Sequence, residues 1–368
     1  MRDKILTLAS GTLHFPVFLP DATYGVVRTI DSQDLEACGI DALVMNTFHL
    51  TQKPGSTTIQ SLGGLHRMTG WPKTIITDSG GFQAYSLIRQ NPKHGQLHEN
   101  GITFYPEGSS RKFNLTPEKV IQLQLGFGSD VVICLDDCTH VDDDHEAQVV
   151  SVERTIAWAK RSRAEYDRLV RQKKLTEATR PKIFAVVQGG GFKDLRKQCA
   201  DALLEIGFDG YGFGGWPLDK DNHLLSEIIG YTREVIPRQF PMHALGVGHP
   251  ENILACHALG YDLFDSAMPT RDARHGRLYR FNYPAEGLHA GLDGDWFSYW
   301  YADNERNIRS NQPISPFCDC HTCRNYSLGY LYHLFKQGDA LFMRLVTIHN
   351  LRFMSQLTAR IRAGAEHA

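Results

Sequence analysis

The chain has 368 residues, 42% of them hydrophobic, and a formal net charge of -2 at pH 7. This size allows one large core or two ordinary ones, and the near-neutral charge excludes a polyanion-binding surface that covers the whole protein. No run approaches the roughly 18 apolar residues of a membrane span, and the opening MRDKILTLASG lacks the apolar stretch of a secretion signal. We therefore expect a cytoplasmic protein without membrane contact, whose nucleic-acid surface, if any, is a local patch.

Eight short apolar runs, each ending at a polar or glycine position, recur along the chain and predict β-strands. They end at or near Ala22, Asn46, Asp78, Asp136, Gln188, Gly214, Gly246 and Asp265. Between them lie helical patterns such as SQDLEACG, TPEKVIQLQLGFG, FKDLRKQCADALLEIG and PENILACHALG. This alternation predicts a parallel sheet, and eight units favour a closed (β/α)8 barrel over an open doubly wound sheet. No glycine-rich dinucleotide motif follows the first run, which disfavours a Rossmann fold.

Two segments interrupt the alternation. Residues 91–114 contain QLHENGITFYP, in which Asn100-Gly101 between alternating residues predicts an inserted β-hairpin. After Asp265 the chain passes through PTRDARHG, for which we expect an arginine-bearing loop, into a cysteine cluster and further helices. We therefore predict a catalytic barrel of residues 1–282 with a hairpin near 91–114, and a zinc-binding helical subdomain of residues 283–368 packed on it.

The cysteine cluster predicts a metal site. Cys318, Cys320 and Cys323 form a C-x-C-x-x-C motif, and thiolates at this spacing can converge on one tetrahedral ion. His349 ends an apolar helical run and is the favoured fourth ligand, with His321 and His333 as rivals. A closed Cys3His site leaves no position for water, so the expected cofactor is one structural Zn²⁺ per chain.

Polar residues stand at the ends of four predicted strands. Asp78, Asp136, Gln188 and Asp265 follow apolar runs, and catalytic groups of such barrels lie at the carboxyl ends of the strands. Paired carboxylates suit the breaking of a glycosidic bond, because one can attack the anomeric carbon while the other moves protons. An aspartate at a strand end also often caps the following helix, so each residue alone has a structural interpretation.

Nine motifs in order resemble those of the tRNA-guanine transglycosylase (queuine tRNA-ribosyltransferase) family. They are NTFHL from Asn46, DSGGFQ from Asp78, LTPE from Leu115, LDDC from Leu135, QGG from Gln188, GFGG from Gly212, LGVG from Leu245, FDSAMPTRDARHG from Phe264, and the cysteine cluster with His349-Asn350. Nine motifs in register are far more specific than one tetrapeptide.

The resemblance implies an enzyme, a pentosyltransferase that exchanges the wobble guanine of tRNA anticodons for a 7-deazaguanine, preQ1 or queuine. It implies that Asp265 is the nucleophile that forms a covalent ribosyl ester, and that Asp78 is the general acid/base. It also implies a homodimer whose partners are tRNA and the guanine-like bases. It further assigns base-binding positions to Phe82, Asp136, Gln188, Gly215 and Leu245, and tRNA-binding positions to Arg271 and Arg274.

The chain departs from the family pattern where many bacterial members show GGLAVGE. Trp216 replaces a small aliphatic residue, and Lys220 stands where an acidic residue receives the aminomethyl group, unless Asp219 takes that role. Two alternatives therefore stay open. One is a related transglycosylase that uses another 7-deazaguanine or DNA, and the other is a non-catalytic tRNA-binding partner subunit. Retention of both Asp78 and Asp265 argues against the second.

Overall fold

The structure is a computed structural model that describes residues 5–105, 112–140, 142–286 and 291–366. These residues form fifteen strands: β1 (Ile5–Leu8), β2 (Gly11–His14), β3 (Val17–Pro20), β4 (Ala42–Asn46), β5 (Thr74–Asp78), β6 (Gly95–His98), β7 (Gly101–Phe104), β8 (Phe113–Leu115), β9 (Val131–Ile133), β10 (Lys182–Val187), β11 (Gly210–Phe213), β12 (Met242–Ala244), β13 (Leu263–Ser266), β14 (Arg277–Phe281) and β15 (Phe297–Tyr301).

The same residues form fourteen α-helices: α1 (Ser32–Ala37), α2 (Thr47–Gln52), α3 (Ser56–Ser61), α4 (Leu65–Thr69), α5 (Gly81–Gln90), α6 (Pro117–Phe127), α7 (His145–Gln172), α8 (Lys193–Ile206), α9 (Ser226–Glu234), α10 (Pro250–Leu259), α11 (Met268–Arg274), α12 (His321–Asn325), α13 (Leu328–Gln337) and α14 (Ala340–Glu366). The four helices predicted from sequence patterns are confirmed as α1, α6, α8 and α10. Helix α6 begins as its sequence indicates, because the Thr116 side chain accepts from the N–H of Lys119 and Pro117 occupies the first turn.

Eight parallel strands form a barrel in the order β3, β13, β12, β11, β10, β9, β5, β4. The ring is completed between β3 and β4, where the N–H of Ala22 donates to the carbonyl of Val44 at 2.8 Å. The predicted (β/α)8 architecture is therefore confirmed. All eight strands point the same way, so their carboxyl ends share one mouth.

The barrel interior is filled by alternate side chains of its strands, because successive residues of a strand point to opposite faces. Inward positions such as Val17, Val44, Ile76 and Phe184 form one buried apolar cluster, which Leu13 of the β1–β2 hairpin joins at the amino-terminal end. Outward positions pack against the helices in a larger cluster. Burial of each large apolar side chain contributes about 1.5–3 kcal/mol.

The predicted inserted hairpin is confirmed as β6 and β7, to which β8 adds a third antiparallel strand. Its loop is Glu99-Asn100 rather than Asn100-Gly101, because Gly101 already pairs with His98. Gly101 has φ +139, and a Cβ there would approach the carbonyl oxygen of Leu115 to 2.2 Å, so glycine is required by β8 and not by the turn. Arg161 of α7 donates to the carbonyls of Glu99 and Asn100 and holds the loop. Residues 106–111 of the predicted segment lie outside the described residues.

The C-terminal part packs on the barrel through the long helix α14. Leu345 and Val346 of its first half belong to a small core with α13. Leu351 and Leu357, further along the same helix, join the core around the barrel. The antiparallel pair of β14 and β15 spans the predicted boundary at residue 282, which stays a prediction. Among the described residues, no helix is both long enough and apolar enough to cross a membrane.

Candidate active site and metal centre

The strand alternation that fills the barrel also builds its mouth. Beyond the interior apolar layer, the next inward side chains are polar. Asp78 lies two residues after Ile76, Gln188 two after Val186, and Asp265 two after Leu263. Asp136, beyond the end of β9, joins this group by a hydrogen bond to Gln188. The structure therefore places all four predicted strand-end residues at the carboxyl ends of the strands, where barrel enzymes hold their catalytic groups.

Asp78 is held by three donors. Its Oδ2 accepts from Asn46 Nδ2 at 2.7 Å, and its Oδ1 accepts from the N–H groups of Thr47 at 3.2 Å and Gly80 at 3.1 Å. Burial raises the pKa of Asp78 to about 7 against these hydrogen bonds, and the negative charge of Asp265 adds to the rise. A carboxyl group with this pKa can both give and take a proton near neutral pH.

Asp265 stands in a different environment on β13. Its Oδ1 lies 2.8 Å from Nε2 of His243 and accepts from the N–H of Gly246 at 3.0 Å. Its side chain is 17% exposed, while that of His243 is 1% exposed. Among the described residues, no hydrogen-bond donor reaches Oδ2, so one carboxylate oxygen stays open to the mouth.

Asp136 and Gln188 form a buried polar pair beside the two aspartates. Nε2 of Gln188 donates to Asp136 Oδ2 at 2.6 Å, and Ser79 Oγ lies 3.5 Å from Oδ1. Burial raises the pKa of Asp136 to about 6, although the bond from Gln188 opposes the rise. The buried Oε1 of Gln188 has no donor within the described part of the chain. A ligand with several N–H groups on one edge would satisfy these acceptors.

The loop after β11 closes on this pair through Arg196 of α8. Gly214 lies so close to Gln188 that a Cβ would approach Nε2 to 2.5 Å, and Gly215 has φ +91, a conformation that favours glycine. Arg196 is fully buried and donates to the carbonyls of Gly214, Val187 and Gly190. Burial lowers its pKa to about 10. The guanidinium therefore fixes the backbone around Gly215.

The two side chains expected to sandwich a base lie in different surroundings. Phe82 is 41% exposed, and its ring meets that of Trp216 edge-on at 5.6 Å between centroids. Leu245 is half-buried, packs on the interior core and lies against Gly212. Trp216 also contacts the ring of His140, at 5.8 Å, and lines a small enclosed cavity with Gly215. The aromatic ring that departs from the family pattern therefore lies directly beside Phe82.

Arg271 and Arg274 lie in the helix α11 and not in a loop, so the expected loop at PTRDARHG was wrong. Pro269 fits the first helical turn, where its missing N–H costs no hydrogen bond. Arg271 is exposed, whereas Nη1 of Arg274 is buried without a partner among the described residues. Burial lowers the pKa of Arg274, and the positive charge of Arg28 adds to this effect. A neighbouring anion would offset both the burial of the Arg274 charge and its repulsion by Arg28.

Three positioning side chains were not singled out by sequence reasoning. They are His243 beside Asp265, Asn46 beside Asp78, and Arg196 behind Gly214. The sequence could have indicated the first two, because side chains of a strand alternate between its faces. His243 lies between Met242 and Ala244, which point outward, so it points into the barrel. A fourth carboxylate, Asp21, lies two residues after the inward Leu19. Burial and then the charge of Asp265 raise its pKa, while Thr23 donates to it.

The predicted metal ligands converge at a second site, in the C-terminal part of the chain. The three sulfur atoms of Cys318, Cys320 and Cys323 and one nitrogen of His349 all lie within 4.8 Å of one another. Nδ1 of His349 is 3.7 Å from Cys320 Sγ and 3.3 Å from Cys323 Sγ. Such separations fit donors around one tetrahedral ion. The group can therefore hold a metal ion.

A second contact orients the histidine. Nε2 of His349 lies 2.7 Å from the carbonyl oxygen of Tyr279, so it carries the hydrogen and leaves the Nδ1 lone pair facing the sulfurs. His321 is exposed on α12 and lies near the Asn325 side chain, and the ring of His333 stacks on that of Tyr330. Neither rival histidine belongs to the converging group.

A (β/α)8 barrel with acidic groups at its mouth and a Cys3His cluster beside it is the architecture of an enzyme. A family model described as Queuine tRNA-ribosyltransferase matches residues 1–366. The chain is 38% identical over 363 residues to a queuine tRNA-ribosyltransferase of Aromatoleum aromaticum, covering 98% of this chain and 90% of that protein. It is 34% identical over 354 residues to one of Halothermothrix orenii, covering 96% and 87%. The chain therefore belongs to the queuine tRNA-ribosyltransferase family, whose members are pentosyltransferases.

Proposed function

We propose that this enzyme exchanges the wobble guanine of tRNA for a 7-deazaguanine, preQ1 or queuine, by double displacement. The observation that carries the proposal is the pairing of Asp78 and Asp265 in one mouth in different environments. One oxygen of Asp265 has no donor among the described residues, whereas burial raises the pKa of Asp78 to about 7. A nucleophile and an acid/base of this kind are what a retaining glycosidic exchange requires.

In the first half-reaction, a carboxylate oxygen of Asp265 forms a bond to C1′ of the ribose while the bond from C1′ to the guanine breaks. The electron pair goes to the departing base, and protonated Asp78 supplies its proton. In the second half-reaction, Asp78 takes the N9 proton of the incoming base, and N9 displaces Asp265 from C1′. Retention of configuration follows from two displacements at the same carbon.

The protein recognises the base through hydrogen-bond acceptors. The Asp136 carboxylate and Oε1 of Gln188 face N–H groups, such as N1–H and the 2-amino group of guanine, which adenine does not present in this pattern. The backbone at Gly215, fixed by Arg196, is positioned to contact the base carbonyl. Phe82 and Leu245 supply apolar surface for the ring. Guanine in a stack cannot reach this mouth, so we expect the target nucleotide to be flipped out.

The arginines of α11 supply a local basic surface on a near-neutral protein. Nη1 of Arg274 has no partner in the part of the chain that the structure describes, and Arg271 is exposed, so both arginines suit contacts to tRNA phosphates. By contrast, Arg277 is already bound to Asp272 at 2.7 Å and Arg280 lies over the ring of Trp300 at 4.6 Å. The proposed phosphate-binding surface therefore consists of Arg271 and Arg274 rather than of all four arginines between residues 271 and 280.

We assign Zn²⁺ as the resident ion of Cys318, Cys320, Cys323 and His349, with a structural role. Four protein donors leave no open coordination position, and three thiolates favour zinc over harder ions. His349 lies on α14, which also contributes to the core around the barrel. The ion would therefore join the C-terminal helices to the barrel rather than take part in base exchange.

The identity of the inserted base depends on the loop after β11. Asp219 Oδ1 accepts from the N–H groups of Asp221 and His223, both at 2.8 Å, so this carboxylate is engaged in its own loop. Lys220 would repel a cationic aminomethyl group. Because preQ1 and queuine both carry a protonated amine on the 7-substituent, these two facts weigh against both equally, and they keep the uncharged nitrile-bearing precursor open as an alternative substrate.

The test is incorporation of labelled guanine into unmodified tRNA, followed by displacement with preQ1, queuine or the nitrile precursor in parallel. The controls are duplex DNA and a tRNA whose anticodon contains no guanine. Exchange on tRNA supports the proposal, exchange on DNA alone contradicts the tRNA assignment, and binding without exchange indicates a partner subunit. We expect a homodimer acting in the cytoplasm, where its tRNA substrate resides, and light scattering at assay concentration checks the dimer.

A further inference from the structure

His243 is the buried group in closest contact with the proposed nucleophile. It lies on β12, next to β13 in the barrel, and points inward with 1% of its side chain exposed. Its Nε2 is 2.8 Å from Oδ1 of Asp265. Its Nδ1 is buried and has no partner among the described residues. Among the described residues, the carboxylate of Asp265 is therefore the hydrogen-bond partner of the His243 imidazole.

This environment decides which nitrogen carries the hydrogen. A lone pair on Nε2 would face the negatively charged Oδ1 at 2.8 Å, whereas an N–H there makes a charge-assisted hydrogen bond. The hydrogen on Nε2 is therefore favoured in either charge state of the ring. His243 thus acts as a donor to Asp265.

The donors are distributed unevenly over the carboxylate. Oδ1 receives both His243 Nε2–H and the N–H of Gly246 at 3.0 Å. Oδ2 receives none from the part of the chain that the structure describes. We propose, on the basis of the proposed function, that His243 is a positioning residue that reserves Oδ1 as the hydrogen-bonded oxygen, presents Oδ2 to C1′, and assists the departure of Asp265 in the second half-reaction.

The consequence differs between the two half-reactions. In the ester, Oδ2 is bonded to C1′ and Oδ1 is a neutral carbonyl oxygen, a weaker acceptor than a carboxylate oxygen. When N9 of the incoming base attacks C1′, the C1′–Oδ2 bond breaks and its electron pair returns to Asp265. Negative charge then develops on Oδ1 as well, and the two donors stabilise it. His243 therefore speeds breakdown of the ester, and it does not speed ester formation because it binds the carboxylate more strongly than the ester.

The test uses the full-length, metal-loaded protein. Wild type and H243F are mixed with tRNA, freed of guanine, and chased with excess guanine, and the denaturation-resistant adduct is followed on gels. We expect the H243F adduct to decay about tenfold or more slowly and to accumulate at equilibrium. H243Q, whose amide N–H can replace Nε2–H, should decay within about threefold of wild type. H66F is the matched control, because His66 lies 3.1 Å from Asp130 at the opposite end of the barrel.

Three results separate the claims. Decay of the H243F adduct at the wild-type rate, or H243Q as slow as H243F, overturns the role of His243. Absence of any adduct in the wild type contradicts the proposed function itself and not this inference alone. If H243F loses its metal or its thermal transition, H243N replaces it, because its shorter amide cannot reach Oδ1 and the same slow decay is then expected.

Discussion

Asp78 and Asp265 share the mouth of the barrel closely enough that the charge of Asp265 contributes to the raised pKa of Asp78. Burial is the larger cause, and it brings this pKa to about 7. The two groups lie at the same mouth of the barrel, at the ends of β5 and β13, yet their hydrogen-bond partners differ. One fold thus gives two carboxylates two roles, which is how paired acids divide glycosidic chemistry.

The first prediction concerns this coupling. In D265N the negative charge beside Asp78 is absent, so the pKa of Asp78 should fall, while burial keeps it above the ordinary value of an aspartate. Titration of ¹³C-labelled aspartate carboxyl groups, assigned by comparison with D78N, measures the shift. An unchanged or higher pKa of Asp78 in D265N would mean that the two carboxylates do not interact.

The second prediction concerns stability against pH. Because the pKa of Asp78 is higher in the folded protein, about 7, than its ordinary 3.8, ionisation of this group opposes folding. Its contribution is fully present at low pH and is lost as the pH rises toward 7. The unfolding free energy of wild type minus that of D78N should therefore decrease between about pH 4 and pH 7 and stay constant above. Urea unfolding at several pH values measures it, and a flat difference would contradict the raised pKa.

The third prediction concerns the metal. C320A should reduce zinc from about one ion per chain to a small fraction and lower the thermal midpoint, because metal binding is coupled to folding. C256A is the matched control, since Cys256 is a buried free thiol on α10, outside the cluster. The C256A variant should lose some packing in the core and keep its zinc. Metal analysis of both variants decides, and a native protein without metal would contradict the assignment.

The fourth prediction concerns tRNA. R271Q and R274Q should each weaken tRNA binding and reduce the salt dependence, by roughly 0.7–0.9 in the slope of log K against log salt for each lost phosphate contact. R171Q is the control, because Arg171 lies in the last turn of α7, which precedes β10 and therefore ends at the opposite end of the barrel. Equal effects in all three variants would point to a diffuse charge effect rather than a defined contact.

Much of the fold was predictable because its signals are local. Four of the barrel strands lead into polar residues at the mouth, and this made Asp78, Asp136, Gln188 and Asp265 visible in the sequence. The ligand set of Cys318, Cys320, Cys323 and His349 followed from spacing and one helical pattern. These features depend on residues within one element or one short segment.

Other features depend on partners that only the folded chain brings together. His243 and Asn46 matter because β12 and β4 lie next to β13 and β5, and Arg196 because α8 returns over the loop after β11. The same limit explains one of two local errors, and the other is a local signal that was not used. Gly101 was expected in a turn but is required by β8, and PTRDARHG was expected to be a loop although Pro269 begins the helix α11 well.

The most direct test is the site of covalent attachment. Wild-type enzyme incubated with tRNA is denatured and digested, and mass spectrometry locates the ribosyl ester, with D265N and D78N alongside. The account predicts an ester on the peptide that contains Asp265, none in D265N, and preserved non-covalent tRNA binding in D265N. An ester on another residue, or an adduct that persists in D265N, would contradict it.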